Sequence, residues 1–307
     1  MDYFKKLNLL GLFFALVFSL SGYSSDSGIE GPEYTVILEE LKLLSDENIE
    51  AEYVEYGESQ LHKQALVLLK ISDPSFQAHN LARSAVLITG ATHGNEYLNI
   101  VDRFPKRFLN SLKNEDSSLA QYIQNGGVLY VVPVVNPDGF NADSRYNGRR
   151  IDLNRDFSLE RIDHEGFREK ETRYLAEYID REVVAENLSL DLTMDYHCCH
   201  GSLLFAWAYD MDLDLAADDL KRHEDIARLM QKHVSKEYIF GSTGAVLGYE
   251  PVGTSKDYYY DTYGALAFTF EGKRNVEDQN LEKHLKWWES IFDYLLQDIA
   301  QEAKLAS

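Results

Sequence analysis

Ala85-Val86-Leu87-Ile88-Thr89-Gly90-Ala91-Thr92-His93-Gly94-Asn95-Glu96 is the stretch on which the reading of this chain turns. Its apolar first half, bounded by glycine, predicts a buried β-strand, and the histidine and glutamate then fall on the turn that leaves the strand. Imidazole nitrogen and carboxylate oxygen suit a borderline ion such as zinc when one coordination position must stay open for water. A His-x-x-Glu pair is a weak signal alone, because such spacings arise by chance, so the reading depends on partners elsewhere in the chain.

Two partners lie far downstream. Leu192-Thr193-Met194-Asp195-Tyr196-His197 reads as another strand with a histidine at its tip, and Ala267-Phe268-Thr269-Phe270-Glu271 as a third that ends in a carboxylate. Taken by itself, Glu271 has a plainer reading as an ion-pair partner of Lys273 or Arg274. Between the two ligand stretches runs Ser144-Arg145-Tyr146-Asn147-Gly148-Arg149-Arg150-Ile151-Asp152-Leu153-Asn154-Arg155-Asp156-Phe157. Cations and amides crowded into one loop of an acidic protein point to an anionic ligand, and a guanidinium beside an amide is a natural receptor for a carboxylate.

Working outward, helical spacing covers Tyr34 to Leu44, and alternation from Ile49 to Tyr56 predicts a strand, with a turn at Gly57-Glu58-Ser59 and a returning strand from Gln64 to Ile71. The segment after Glu96 reads as helical until Pro105. Gly127 to Val135 is a buried strand that ends in the turn signal Asn136-Pro137-Asp138-Gly139. Glu171 to Val184 and most of Leu213 to Val234 read as helices, Leu190 to His197 and Ser202 to Tyr209 as strands. Ala265 to Glu271 is the last strand, and a long helix follows from about Gln279. Strands alternating with helices predict a single α/β domain: a mixed, mostly parallel central sheet flanked by helices, with its site at the carboxyl ends of the strands.

Composition narrows the function. The 307 residues, 45% hydrophobic, suffice for one large core, and no linker-like stretch or internal repeat divides them. A formal charge of −21 with no sustained Lys/Arg run argues against a nucleic-acid partner. Lys5 and Lys6 precede the apolar run Leu7 to Leu20, which stops at Ser21-Gly22-Tyr23-Ser24-Ser25. Residues 1–25 therefore read as a signal peptide, 26–33 as a short linker and 34–303 as the catalytic domain of an exported protein, periplasmic or secreted, with no stable membrane insertion after cleavage. Tyr23 stands where a lipidated cysteine would be needed, so no lipid anchor is expected. The only cysteines, Cys198 and Cys199, are neighbours. Neighbouring cysteines rarely bridge, so no disulfide is expected; the pair reads as small buried residues behind the metal, with thiolate ligation the alternative.

Seven pieces stand in register with one family: His93-Gly94-Asn95-Glu96, Asn136-Pro137-Asp138-Gly139, Arg145-x-Asn147, Asp152-Leu153-Asn154-Arg155, His197, Tyr249-Glu250-Pro251-Val252-Gly253-Thr254-Ser255 and Phe268-Thr269-Phe270-Glu271. In order and approximate spacing the chain resembles the zinc carboxypeptidases, bacterial secreted type, from about Tyr34 to beyond Leu281. The resemblance implies the zinc carboxypeptidase fold and one Zn2+ per chain on His93, Glu96 and His197. It implies Glu271 as general base and Arg145, opposite the metal, as stabiliser of the oxyanion. It also implies that Asn154 and Arg155 clamp the free C-terminal carboxylate of a peptide substrate, with Tyr249 closing over it.

In such enzymes the residue after Ser255 lies at the base of the side-chain pocket. Here it is Lys256, so the expectation is a pocket for acidic or diaminopimelate-type C-terminal residues, unless Asp257 neutralises the lysine internally. Asp156 departs from the usual asparagine and is expected to put negative charge near the clamp. His200 either supports His197 or lines the cleft. Two other readings share parts of the pattern: a zinc deacylase or amidase of the aspartoacylase and succinylglutamate desuccinylase type, and a non-catalytic peptide-binding module. The first is expected to differ in the Tyr249–Ser255 region, the second to lack a ligand or the base.

Overall fold

The computed structural model describes residues 29, 31–77, 82–274 and 280–306. Residues 1–25, read above as a signal peptide, lie outside this set. No described helix is long and apolar enough to cross a membrane.

In chain order the elements are α1 (Tyr34–Glu47), β1 (Ala51–Glu58), β2 (Ala65–Ile71), β3 (Arg83–Gly90), α2 (Phe104–Ser111), α3 (Ser118–Gln124), β4 (Val128–Val132), α4 (Pro137–Asn141), α5 (Lys170–Ala185), β5 (Leu188–Cys198), β6 (Ser202–Phe205), α6 (Ala217–His233), β7 (Ile239–Ser242), α7 (Thr243–Leu247), α8 (Ser255–Tyr263), β8 (Leu266–Gly272) and α9 (Leu281–Ala306). The strands form one eight-stranded sheet in the order β1-β2-β4-β3-β5-β8-β6-β7. The central strands β4, β3, β5 and β8 are mutually parallel, and β1, β2 and β6 join by antiparallel pairing. The mixed, mostly parallel α/β sheet read from the sequence is therefore the observed fold.

Parallel strands covered on both faces need apolar residues at every position, and Ala85 to Ile88 are buried without exception. One face packs under α1, α2, α6 and α9, where Trp287, Trp288, Ile291, Phe292 and Leu295 make the buried stripe of the last helix. The other packs under α5 and α8 through Leu175, Ile179, Tyr258 and Tyr259.

Several local expectations change. Gly57 and Glu58 continue β1, and the turn lies between Ser59 and Gln64. Pro105 opens α2 instead of ending a helix, because the first helical positions need no N–H partner. Asn136 does turn the chain, but its side chain accepts from the Gly139 amide and starts α4. The strand expected from Ser202 to Tyr209 stops at Phe205. The short elements α3, β7, α7 and α8 carry too weak a periodic pattern to be read from the sequence.

Register then fixes the site. Gly90 pairs with Tyr196, and His197 pairs with Glu271, so the residues leaving β3, β5 and β8 meet at one end of the sheet. The turn after β3 presses on α4 at Gly94, where an added Cβ would overlap the Gly139 carbonyl and the Phe140 amide. Gly94→Ala is thus expected to lower unfolding free energy by about 1–3 kcal/mol; a thermal melt unchanged from the parent would contradict this close approach.

Candidate active site

His93, Glu96 and His197 offer ligand atoms that all lie within 4.8 Å of one another, and all three residues are buried. His93 and Glu96 come from the turn after β3, His197 from the tip of β5. His93 Nδ1 lies 2.9 Å from Glu96 Oε1, and His197 Nδ1 3.0 Å from Glu96 Oε2. The two Nδ1 atoms are themselves 3.0 Å apart.

The back of each ring decides what this means. His93 Nε2 faces Asp152 Oδ1 at 2.9 Å, and His197 Nε2 faces Asp195 Oδ2 at 2.8 Å. Each Nε2–H donates to a carboxylate, so that with neutral rings both Nδ1 lone pairs point at each other and at Glu96. Such a cluster of lone pairs is repulsive unless a cation sits among them, and two imidazoles with one carboxylate are the donor set of an open-sided zinc site. Burial pulls the His197 imidazole down, yet Asp195 and Glu96 outweigh it and push its pKa well above the ordinary value. Glu96 is driven the other way, its burial overridden by His93 and His197. Both shifts describe a site that demands positive charge. The residues present therefore fit a zinc ion.

Asp195 escaped the sequence reading. It is buried, and its carboxylate accepts from Thr89 Oγ1, Thr92 Oγ1 and Ser255 Oγ at 2.8, 2.9 and 3.0 Å as well as from His197. The available signal was its place two residues before His197 on the same strand, which puts both side chains on one face of the sheet.

One cleft of about 180 Å³ is bordered by His93, Glu96, Arg145, Asn154, Arg155, Tyr249, Lys256 and Glu271, while His197 lies buried behind them. Glu271 neighbours His197 across the sheet, and burial pushes its carboxyl above the ordinary carboxylate range. Its alternative partner Lys273 binds Glu237 Oε2 at 3.2 Å instead. Arg145 reaches Glu96 Oε1 at 3.0 Å and Asp152 Oδ2 at 2.9 Å, so the guanidinium rests against the carboxylates around the ligand cluster. Asn154 Oδ1 accepts from the Ser255 amide at 3.0 Å, which fixes the amide and leaves its N–H groups to the cleft. Tyr249 is exposed on the connection between α7 and α8.

Three local expectations meet the structure here. The Asp156 carboxylate is engaged by the start of α5: it accepts from the Arg168 and Glu169 amides, both at 3.0 Å, and from Thr172 Oγ1. Cys198 and Cys199 lie with their sulfurs against each other at the point where the chain reverses from β5 into β6. They are not in the ligand cluster. His200 does not support His197; it borders the cleft, with its Nδ1 3.1 Å from Ser202 Oγ.

Comparison with known proteins agrees with this geometry. The family described as zinc carboxypeptidase matches residues 37–284. Carboxypeptidase SOL1 of Arabidopsis thaliana is 27% identical in an alignment of 238 residues that covers 72% of this chain and 46% of that protein. The chain thus spans about half the length of this curated relative. Bovine thrombin-activatable fibrinolysis inhibitor, solved in complex with tick carboxypeptidase inhibitor, superposes with a TM-score of 0.68 at 18% identity, covering 86% of this chain and 97% of that one. Carboxypeptidase A of Helicoverpa armigera gives 0.66 at 20% identity, covering 85% and 71%. At these identities the two structures speak for the fold alone.

The carboxylate behind each imidazole yields a prediction. Asp195→Asn should weaken zinc binding about 10–100-fold, read by competition with a chromophoric chelator; an unchanged dissociation constant would mean that Asp195 does not orient His197.

Proposed function

Since the chain belongs to the zinc carboxypeptidase family, we propose that it is a zinc-dependent metallocarboxypeptidase that hydrolyses the C-terminal peptide bond of peptides. The observation that carries this reading is that metal ligands, a base and a carboxylate clamp border one cleft. His93, Glu96 and His197 would hold the zinc, which when bound supplies a Lewis acid that polarises the scissile carbonyl and acidifies water.

The chain's own groups do the rest. Glu271 takes a proton from the attacking water and later hands it to the leaving amine; a carboxyl pushed up by burial suits a group that must both accept and release a proton. Arg145 uses part of its fork on Glu96 and Asp152 and turns its remaining N–H groups to the developing oxyanion. Arg155 and the Asn154 amide receive the terminal carboxylate, and Tyr249 closes over it. An internal peptide bond has no carboxylate to offer this clamp, so cleavage is confined to the chain end.

At the side-chain end of the cleft we read a preference for acidic or diaminopimelate-type residues. Lys256 is buried there, and Asp257, whose carboxylate accepts from the Ala208 and Tyr209 amides, offsets part of its charge without forming an ion pair with it. The leader pattern of residues 1–25 supports an exported, periplasmic or secreted enzyme, which fractionation of cells expressing the full chain would test.

Two variants test the chemistry. Glu271→Gln should lower kcat by about 10²–10⁴-fold while zinc, read by elemental analysis, stays at one per chain. Loss of the metal would move Glu271 into the ligand set. Arg155→Ala should raise KM far more than it lowers kcat for a peptide with a free carboxylate, and amidation of that carboxylate should remove the difference between the two proteins. Equal loss on the amidated peptide would contradict the clamp.

A further inference from the structure

The floor of the cleft holds polar atoms that the protein does not satisfy. Lys256, on the first turn of α8, is 2% exposed, and its Nζ reaches Thr254 Oγ1 at 3.4 Å, a contact too long to count for much. Among the described residues no carboxylate lies within ion-pair distance of it, and Asp257 and Glu271 offset its charge only from further away. Thr243 and Thr269, each 2% exposed, border the same cleft, and neither hydroxyl has a hydrogen-bond partner among the described residues. Thr269 stands two residues before Glu271 on β8, so it shares the face of that strand and lies about 6–7 Å further from its tip. Thr269 therefore sits deeper than the base, in a cleft that Lys256 and Thr243 also border and into which the side chain of a substrate's last residue would project.

A buried ammonium and two buried hydroxyls without partners are costly to leave unmet. All three can donate. A carboxylate offers two oxygens with room for several donors, whereas an amide offers one oxygen and turns an NH2 group, which cannot accept, towards the lysine. We propose that Lys256, Thr243 and Thr269 form a second carboxylate receptor, separate from the Asn154–Arg155 clamp, and that the enzyme's substrates are peptides ending in a residue with a plain side-chain carboxylate. Of the two substrate classes named above, this selects glutamate and aspartate. A diaminopimelate-type end carries an ammonium beside its carboxylate and would set a second positive charge against Lys256. The inference rests on the carboxypeptidase reading and sharpens it.

The test uses the zinc-loaded full chain and N-acylated peptides that differ only in the last residue: Glu, Gln, Phe or diaminopimelate. Glu should exceed Gln and diaminopimelate by at least about tenfold in kcat/KM. Thr269→Val and Thr243→Val, which replace a hydroxyl by a methyl of nearly the same shape, should each cut the Glu-to-Phe ratio about tenfold, and Lys256→Met should cut it further. Binding of free glutamate, read by calorimetry, should weaken in the same order. Equal losses on Glu and Phe peptides, or an unchanged ratio in both threonine variants, overturn the receptor while leaving the carboxypeptidase reading intact. Faster release of diaminopimelate than of Glu overturns the choice of substrate. If the protein releases no C-terminal residue, the carboxypeptidase reading itself fails, and glutamate binding that is strong in the parent and lost in the three variants still supports the receptor, while its absence in the parent ends it.

Discussion

Two imidazole nitrogens 3.0 Å apart, both set against one carboxylate, are the constraint to which the rest of this structure answers. Water could not relieve such a contact in a buried site, and a proton could relieve only part of it. A divalent cation relieves all of it at once. The carboxylates of Asp152 and Asp195 behind the rings make the arrangement definite, because they fix which nitrogen of each ring carries hydrogen and so which one faces the cluster.

The sheet supplies the precision. Parallel pairing of β3 with β5 and of β5 with β8 brings three strand tips to one level, and the register that sets His197 beside Glu271 is held by buried residues on both faces of the sheet. Asp195 extends this order sideways. Through Thr89 and Thr92 it ties the metal-ligand turn to β5, and through Ser255 it ties both to α8, whose first amide in turn holds Asn154. A buried carboxylate with every acceptor position used is stable where it stands and costly to disturb. The candidate metal ligands and Asn154 thus belong to one polar network, and Lys256 is carried on the same helix.

Much of this was legible in the sequence because the signals were local. The apolar run of β3, the strand-tip histidine and the strand-tip glutamate predicted an α/β sheet with its site at the strand ends, and these residues do border or underlie one cleft. What escaped depended on contacts between distant segments. Asp195 looks like an ordinary strand residue until the fold places Ser255 and the two threonines around it. The second task of Asp156, holding the start of α5 with its carboxylate, shows only once that helix is in place. Pro105 reads as a helix breaker, and only the position of the preceding turn makes it a helix start. Thr243 and Thr269 carry no motif; their interest comes from hydroxyls left without partners in the cleft that Lys256 also borders. Short elements such as β7 and α7 are set by the packing around them more than by any repeat in their residues.

The most direct test of the account is anomalous diffraction at the zinc edge from crystals of the metal-loaded protein. The account predicts a single peak per chain, roughly 2.0–2.2 Å from His93 Nδ1, His197 Nδ1 and a Glu96 oxygen, with the Glu271 carboxylate on its open side. A peak bound through either Nε2, a peak at another cluster, or no peak in protein that still hydrolyses peptides would contradict it.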